Sequence, residues 1–276
     1  MRIIHSVAEF RAARAELPSL AFVPTMGNLH SGHIALATQA ALHSPHVAAS
    51  IFVNRLQFGP HEDFDRYPRT LAEDAAKLEE AGASLLFAPD EAEMYPQRQT
   101  YHVEPAAEHV SILEGEFRDG HFRGVATVVM KLLNIIQPTH ALFGKKDYQQ
   151  LMVLRNMVRE FAMPLEVVAG ETVRAEDGLA LSSRNGYLTE SERAEAPRLY
   201  ATLQQIRDAV RSGATNFPQL ESGAVEGLKA SGWAPEYIRI CRRSDLQPAH
   251  PDDPAPRVVL AAARLGATRL IDNLEI

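Results

Sequence analysis

A chain of 276 residues has room for about two domains, each with its own core. Its 28 lysines and arginines against 35 aspartates and glutamates leave a net charge of −7, which excludes a general nucleic-acid binder whose affinity rests on neutralised phosphates. Apolar residues at 46% and charged residues at 23% are the proportions of a folded globular chain, and a single cysteine, Cys241, excludes both an internal disulfide and a thiolate metal cage.

Residues 1–6 lack the apolar core of a signal peptide, and no apolar run approaches the roughly 20 residues that cross a bilayer. A cytoplasmic protein with no membrane partner is expected. Residues 20–23 read as a buried strand, 25–33 as a polar, glycine-containing turn and 34–42 as a helix rich in alanine and leucine. A second strand follows at 47–53. Thr70 and Glu73 have capping-box spacing before Ala75, Leu78 and Ala81, which predicts a helix starting at Thr70. Residues 85–88 form a third strand. The stretch 125–136 is apolar around most of its circumference, as in a buried helix, and Pro138 closes it. Strands at 141–144 and 165–169 flank a helix at 148–161. At least five strands thus alternate with helices, the sign of an α/β fold with a Rossmann-like parallel sheet over residues 1–173.

Beyond Val173 the pattern changes. A polar loop precedes a helix from about Thr189, interrupted by Pro197, and Gly213, Pro218 and Gly223 read as punctuation. Strands are predicted at 237–241, 258–262 and 268–271, with Gly266 in the turn of a closing hairpin and 248–256 as a surface loop. Residues 174–276 are therefore a smaller C-terminal α+β domain.

Residues 24–33, Pro-Thr-Met-Gly-Asn-Leu-His-Ser-Gly-His, lie between the first predicted strand and its helix, where open α/β sheets bind ligands and a helix N-terminus offers N–H groups to a phosphate. Gly27 and Gly32 allow close backbone approach, and the spacing of His30 and His33 lets both face one side. Neither the dinucleotide fingerprint nor the P-loop pattern is present, so a nucleotide would be held differently. The His-x-x-His pair is half a metal site, but no partner ligand completes it, and no metal ligand is assigned.

Gly144-Lys145-Lys146-Asp147-Tyr148-Gln149-Gln150 follows another strand on the same rim, where a lysine can meet a phosphate as a point charge. Leu181-Ser182-Ser183-Arg184-Asn185 offers two hydroxyls and a guanidinium to a polyphosphate, and Gly178 beside it suits a closing lid. Asn54 and Gln57 follow the second strand, where uncharged amides suit a hydroxyl or carboxylate group. Residues 113–124, with His121 and Arg123, add polar groups before the buried helix. Each of these stretches alone also reads as a solvated surface or a plain loop; together they describe a cleft.

These blocks, with Ser50-Ile51-Phe52-Val53-Asn54, Arg66-Tyr67-Pro68-Arg69-Thr70, His121-Phe122-Arg123-Gly124-Val125 and 177–185, resemble the pantothenate synthetase family, the pantoate–β-alanine ligases of coenzyme A biosynthesis. The resemblance runs over nearly the whole chain. It implies an adenylate-forming ligase of the HxGH nucleotidyltransferase superfamily, in which ATP and (R)-pantoate give pantoyl adenylate and diphosphate, and β-alanine then displaces AMP. It implies an ATP site built from Met26, Gly27, Asn28, Leu29, His30, Ser31, Gly32 and His33, from Gly144, Lys145, Lys146 and Asp147, from Val173, and from Leu181, Ser182, Ser183 and Arg184, the last segment being the counterpart of the mobile KMSKS loop.

Within that set His33, His30, Lys146 and Arg184 take the catalytic roles, His33 as the proton donor. Gln57, Gln150 and Asn54 correspond to pantoate-binding positions, with Gln57 also facing β-alanine. Mg²⁺ arrives on the ATP phosphates, and the family is typically a homodimer. On this basis 1–173 is the nucleotide- and pantoate-binding domain and 174–276 a lid domain. Two positions depart from the family pattern: Arg55 stands where proline is usual and Lys145 where glutamate is common. A nucleotidyltransferase that makes a dinucleotide shares the first motif and the serine loop but lacks the pantoate-type glutamines. A regulatory module that holds ATP without turnover is the alternative of another class, and intact His33, Lys146 and Arg184 speak against it.

Overall fold

A computed structural model describes residues 1–60, 62 and 64–276. Among them, six parallel strands form one sheet and three antiparallel strands another. By its contacts the chain divides into two compact units, residues 1–144 with 153–171 and residues 145–152 with 172–276.

In the first unit the chain runs β1 (Arg2–Ile4), α1 (Val7–Ala15), β2 (Ala21–Thr25), α2 (Ser31–Ala40), β3 (Val47–Ile51), α3 (Leu71–Glu80) and β4 (Leu85–Phe87). Three short helices, α4 (Glu91–Met94), α5 (Ala107–Val110) and α6 (Glu114–Phe117), lead into the long α7 (His121–Ile136), which is followed by β5 (His140–Gly144), by α8 (Tyr148–Glu160), whose residues up to 152 belong to the second unit, and by β6 (Glu166–Gly170). The strand order is β1-β4-β3-β2-β5-β6, so the chain steps outward in one direction from β2 and then returns to its other side with β5. That reversal is the point at which open α/β sheets bind ligands, beyond the carboxyl ends of the strands. β2 pairs with β3 from Ala21 to Thr25 but with β5 only at Ala21 and Phe22, so the ends of β2 and β5 part.

Small residues bring the helices close. Ala21, Val23, Val47, Ala49 and Leu86 on one sheet face pack against Ala37, Ala40, Ala75 and Leu78 of α2 and α3. The sheet has one strand beyond the five predicted, and the expected side-chain cap of α3 is corrected. The short β1, with only Ile4 buried, adds a strand at the sheet edge. Thr70 is the N-cap of α3, yet its side chain makes no cap hydrogen bond, because the hydroxyl is drawn to Asp74 instead, at 2.9 Å.

In the second unit α9 (Glu190–Glu195) and α10 (Arg198–Arg211) are separated at Pro197, and α11 (Phe217–Ala230) precedes β7 (Trp233–Arg242), β8 (Arg257–Leu265) and β9 (Thr268–Glu275). The helix α11 runs through the positions read as punctuation. Pro218 falls in its first turn, where a missing N–H has no intrahelical partner to lose, and Gly223 faces open space. Leu199, Leu203, Ile206, Phe217 and Leu228 of the helices pack on Ile238, Ile240, Val259, Ala261 and Leu270 of the sheet. Gly266 takes φ of +56° in the two-residue turn between Leu265 and Thr268. Cys241 is buried beside this core, and burial pushes its thiol up to about 12, which leaves it unreactive. No helix among the described residues is long and apolar enough to cross a membrane.

Candidate active site

The turn after β2 is shaped by left-handed backbone at Gly27 (φ +88°) and Asn28 (φ +51°). A Cβ at Gly27 would lie 3.1 Å from Ile51 and 3.2 Å from the Asp74 carboxylate. Asp74, fully buried on α3, accepts the N–H groups of Asn28 and Leu29, both at 2.8 Å, and Lys77 Nζ donates to the Leu29 carbonyl at 3.0 Å. Thr25 Oγ1 donates to the Ser50 carbonyl and accepts from Gly27 N–H. The turn is therefore held by Thr25, Asp74 and Lys77.

His30 is the N-cap of α2. Its Nδ1 accepts from Gly32 N–H at 3.1 Å, and His33 Nδ1 accepts from His30 N–H at 3.3 Å, a reciprocal capping box built from two imidazoles. An Nδ1 that accepts leaves the proton of the neutral ring on Nε2. The two rings lie 4.1 Å apart, so the start of a ten-residue helix carries two adjacent Nε2–H donors. Ser31 and Gly32 occupy the same first turn, where the helix dipole favours an anion.

Asn54 and Gln57 sit together after β3. Asn54 is 1% exposed; its amide donates to Gln57 Oε1 at 3.1 Å and to the Gly124 carbonyl at 3.3 Å, while its Oδ1 accepts from the Tyr95 hydroxyl at 2.8 Å. Burial, aided by the charge of Glu91, holds the Tyr95 phenol above its usual range, so it stays a donor. Gln57 Nε2 reaches Met26 Sδ at 3.1 Å, which joins the two amides to the turn after β2. The close packing of α7 on this loop depends on Gly124, where a Cβ would fall 2.1 Å from the Leu56 carbonyl oxygen.

His121, at the start of α7, braces the same loop. Its Nδ1 donates to the Gln57 carbonyl at 2.9 Å and its Nε2 accepts from Arg118, whose guanidinium also grips Glu62 at 2.7 and 2.9 Å. Burial, with Arg118 adjacent, lowers the imidazole to about 4, so it is neutral at pH 7. Glu62 is partly desolvated, which works against its charge, yet Arg118 outweighs this and holds its carboxyl below the ordinary range.

A histidine lowered from its unfolded value to about 4 contributes stability that is complete above pH 6.5 and is lost as pH falls towards 4, by roughly 3 kcal/mol. The lowered Glu62 carboxyl adds to the loss at the acid end. His121→Asn keeps a donor for the Gln57 carbonyl and should flatten the slope of stability between pH 6.5 and 4, read from urea unfolding at successive pH. An unchanged slope would assign it to other groups.

The second unit holds the remaining candidates. Lys145, Lys146 and Asp147 form one 3₁₀ turn directly after β5, and Lys145 Nζ pairs with Glu275 at 3.3 Å, so its charge is already matched. Gln149 is buried and Gln150 half-buried in the first turn of α8. The Val173 carbonyl accepts from Leu181 N–H at 2.9 Å, and Ser182 Oγ caps the short 3₁₀ helix Ser183–Tyr187 by accepting from Arg184 N–H at 3.3 Å. Gly178, expected as a source of flexibility, has φ of +95° in a tight turn and passes so close to Tyr200 that a Cβ would lie 2.9 Å from its ring. Asp74, Tyr95 and Arg118 escaped the sequence reading; the one signal for Asp74 was an acid on the apolar stripe of α3 with Ala75 and Leu78.

A sequence profile described as pantoate-beta-alanine ligase matches residues 2–275. The chain belongs to the pantoate–β-alanine ligase family. A pantothenate synthetase of Leptothrix cholodnii is 58% identical, with both chains covered in full. The crystal structure of pantothenate synthetase from Thermus thermophilus is 47% identical, with a TM-score of 0.94 over 100% of this chain and 99% of that one. A pantoate–β-alanine ligase from Francisella tularensis, complexed with beta-gamma ATP and β-alanine, is 34% identical with a TM-score of 0.83 over 100% and 97% of the two chains.

The chain is thus an enzyme, a carbon–nitrogen ligase, and its parallel sheet and small antiparallel sheet are the fold of this ligase family. Arg55 and Lys145 both have local partners. Arg55 pairs with Glu91 at 3.2 Å and lies 4.0 Å over the Phe64 ring, and Lys145 pairs with Glu275.

Proposed function

We propose that this ligase activates (R)-pantoate with ATP as pantoyl adenylate and then transfers the pantoyl group to β-alanine, giving pantothenate, AMP and diphosphate. The observation that carries the reading is the pair of Nε2–H donors of His30 and His33 at the start of α2, at the reversal point of the sheet. It is supported by the family match over residues 2–275 and by a relative complexed with beta-gamma ATP and β-alanine.

In the first step a pantoate carboxylate oxygen attacks the α-phosphorus and the bond to the β-phosphate oxygen breaks. Negative charge grows on the α-phosphate oxygens and on the departing diphosphate. His33, as proton donor, and His30 meet that charge with N–H groups, and Lys146, Ser182, Ser183 and Arg184 meet it with an ammonium, two hydroxyls and a guanidinium. Residues 26–33, 144–147, Val173 and 181–184 bind the nucleotide. Asn54, Gln57 and Gln150 hold pantoate, and Gln57 also faces β-alanine. In the second step the amine attacks the acyl carbon, AMP leaves with the C–O electron pair, and the new amide nitrogen loses its proton.

Mg²⁺ would enter this reading with the ATP phosphates and would supply charge neutralisation there, beside the cations and N–H donors of residues 30–33, 146 and 184. The same reading makes the enzyme a cytoplasmic homodimer, with residues 1–173 binding nucleotide and pantoate and the lid domain 174–276 closing its 181–184 segment on the nucleotide.

The test is diphosphate release from ATP with pantoate alone, then with β-alanine added, with AMP and pantothenate followed by mass. Pantoate-dependent diphosphate and β-alanine-dependent AMP are the expected results. ATP binding without pantoate-dependent release would overturn the reading in favour of another acyl substrate or a non-catalytic nucleotide module.

A further inference from the structure

The last strand, β9, ends in Asp272-Asn273-Leu274-Glu275, and alternation along a strand sends neighbouring side chains to opposite faces. Asp272 shares its face with Leu270 and Leu274, which pack on the core of the second unit. There its carboxylate, 4% exposed, takes both arms of Arg174, at 2.7 and 2.8 Å. The same guanidinium donates to the Gly178 carbonyl at 3.0 Å and lies 3.5 Å over the Tyr200 ring, while the Arg174 backbone bridges Ala180. One buried carboxylate thereby holds the turn from which the 181–184 segment emerges.

On the opposite face Asn273, 5% exposed, spends both amide protons on the 3₁₀ turn, donating to the Lys145 carbonyl at 2.8 Å and to the Lys146 carbonyl at 2.9 Å. Two donors on one short side chain are what two adjacent carbonyls require, and neither aspartate nor leucine supplies them. Glu275, on the same face, adds its bonds to Lys145 Nζ and to the Tyr148 hydroxyl. The turn that carries Lys146 is thus fixed through its backbone by a residue 127 positions away.

We infer that Asn273 is a positioning residue for adenylation, acting through Lys146. This rests on the reading of Lys146 as the cation that meets the phosphates. A charge placed by a rigid turn is worth more to a transition state than the same charge on a loose one, and a misplacement of about 1 Å costs up to about 100-fold in rate.

The test is a double-mutant cycle read as kcat for pantoate-dependent diphosphate release. Asn273→Ala should lower kcat about 10- to 100-fold and leave KM for pantoate within about twofold. In a Lys146→Ala background the same change should cost less than about twofold more, because the group it positions is gone. Asn273→Asp, of equal volume but without the donors, should be at least as slow as the alanine variant. Should Asn273→Ala fail to fold, Asn273→Ser carries the same cycle.

A full loss repeated in the Lys146→Ala background, or wild-type kcat in both the alanine and aspartate variants, would overturn the inference. Wild-type kcat in Lys146→Ala alone would instead overturn the reading on which it rests, so the two failures are told apart by the single variants.

Discussion

Replacing His33 by alanine is expected to lower kcat for pantoate-dependent diphosphate release by about 10²–10³-fold while changing KM for ATP no more than a few-fold. The reason lies in how the ring is held. His33 Nδ1 is occupied by the His30 N–H, so the neutral ring carries its proton on Nε2 without any search over tautomers. A donor oriented before the substrate arrives stabilises charge that exists only in the transition state, and its loss therefore appears in kcat. Alanine also removes one bond of the reciprocal cap, at about 1 kcal/mol, which thermal unfolding would register separately from the rate. A raised KM with kcat intact, measured by steady-state kinetics at varied ATP, would move His33 from the chemistry to ground-state binding.

The strand-turn-helix at 21–40 was legible because its signals are local: a short apolar run, glycine in the turn, and helix formers after it. The same holds for β3, β5 and the buried α7, whose boundaries fall within a few residues of the pattern. What escaped depends on partners distant in sequence or on context that overrides propensity. β1 is three residues long and exists because Arg2–Ile4 finds the edge of β4. α11 tolerates Gly223 because its packing comes from Phe217 and Leu228.

The supports of the candidate site are the hardest to read from sequence. Asp74 lies 45 and 46 residues from the N–H groups it accepts, and Asn273 is 127 and 128 from the carbonyls it joins. Asn54, by contrast, was visible as an amide after a strand, but not its role as the hub between Tyr95, Gln57 and the Gly124 carbonyl. The proposed ligand groups leave a local pattern at strand ends, whereas the groups that hold them in place leave almost none.

Gly124→Ala should raise KM for pantoate about tenfold or more and destabilise the protein by about 1–3 kcal/mol, with ATP binding nearly unchanged. The sign of the stability change is the informative part. In an exposed helix interior, glycine to alanine stabilises by about 1 kcal/mol, so propensity alone predicts a gain. Position 124 lies in α7, but there the new Cβ would sit 2.1 Å from the Leu56 carbonyl oxygen, 2.5 Å from its carbon and 2.7 Å from Gln57 Cα. These are backbone atoms, which have no rotamer to swing aside, so either α7 or the 55–57 turn must shift. The Gly124 carbonyl is also a partner of Asn54, and the shift pulls apart the amide pair that the proposed function assigns to pantoate. The turn after β2 keeps its own brace from Asp74 on α3, so nucleotide binding should be spared. Urea unfolding gives the stability change, and steady-state kinetics with titration of ATP separate the two ligands. A variant that loses stability yet keeps its pantoate KM would show that Asn54 and Gln57 do not set pantoate affinity.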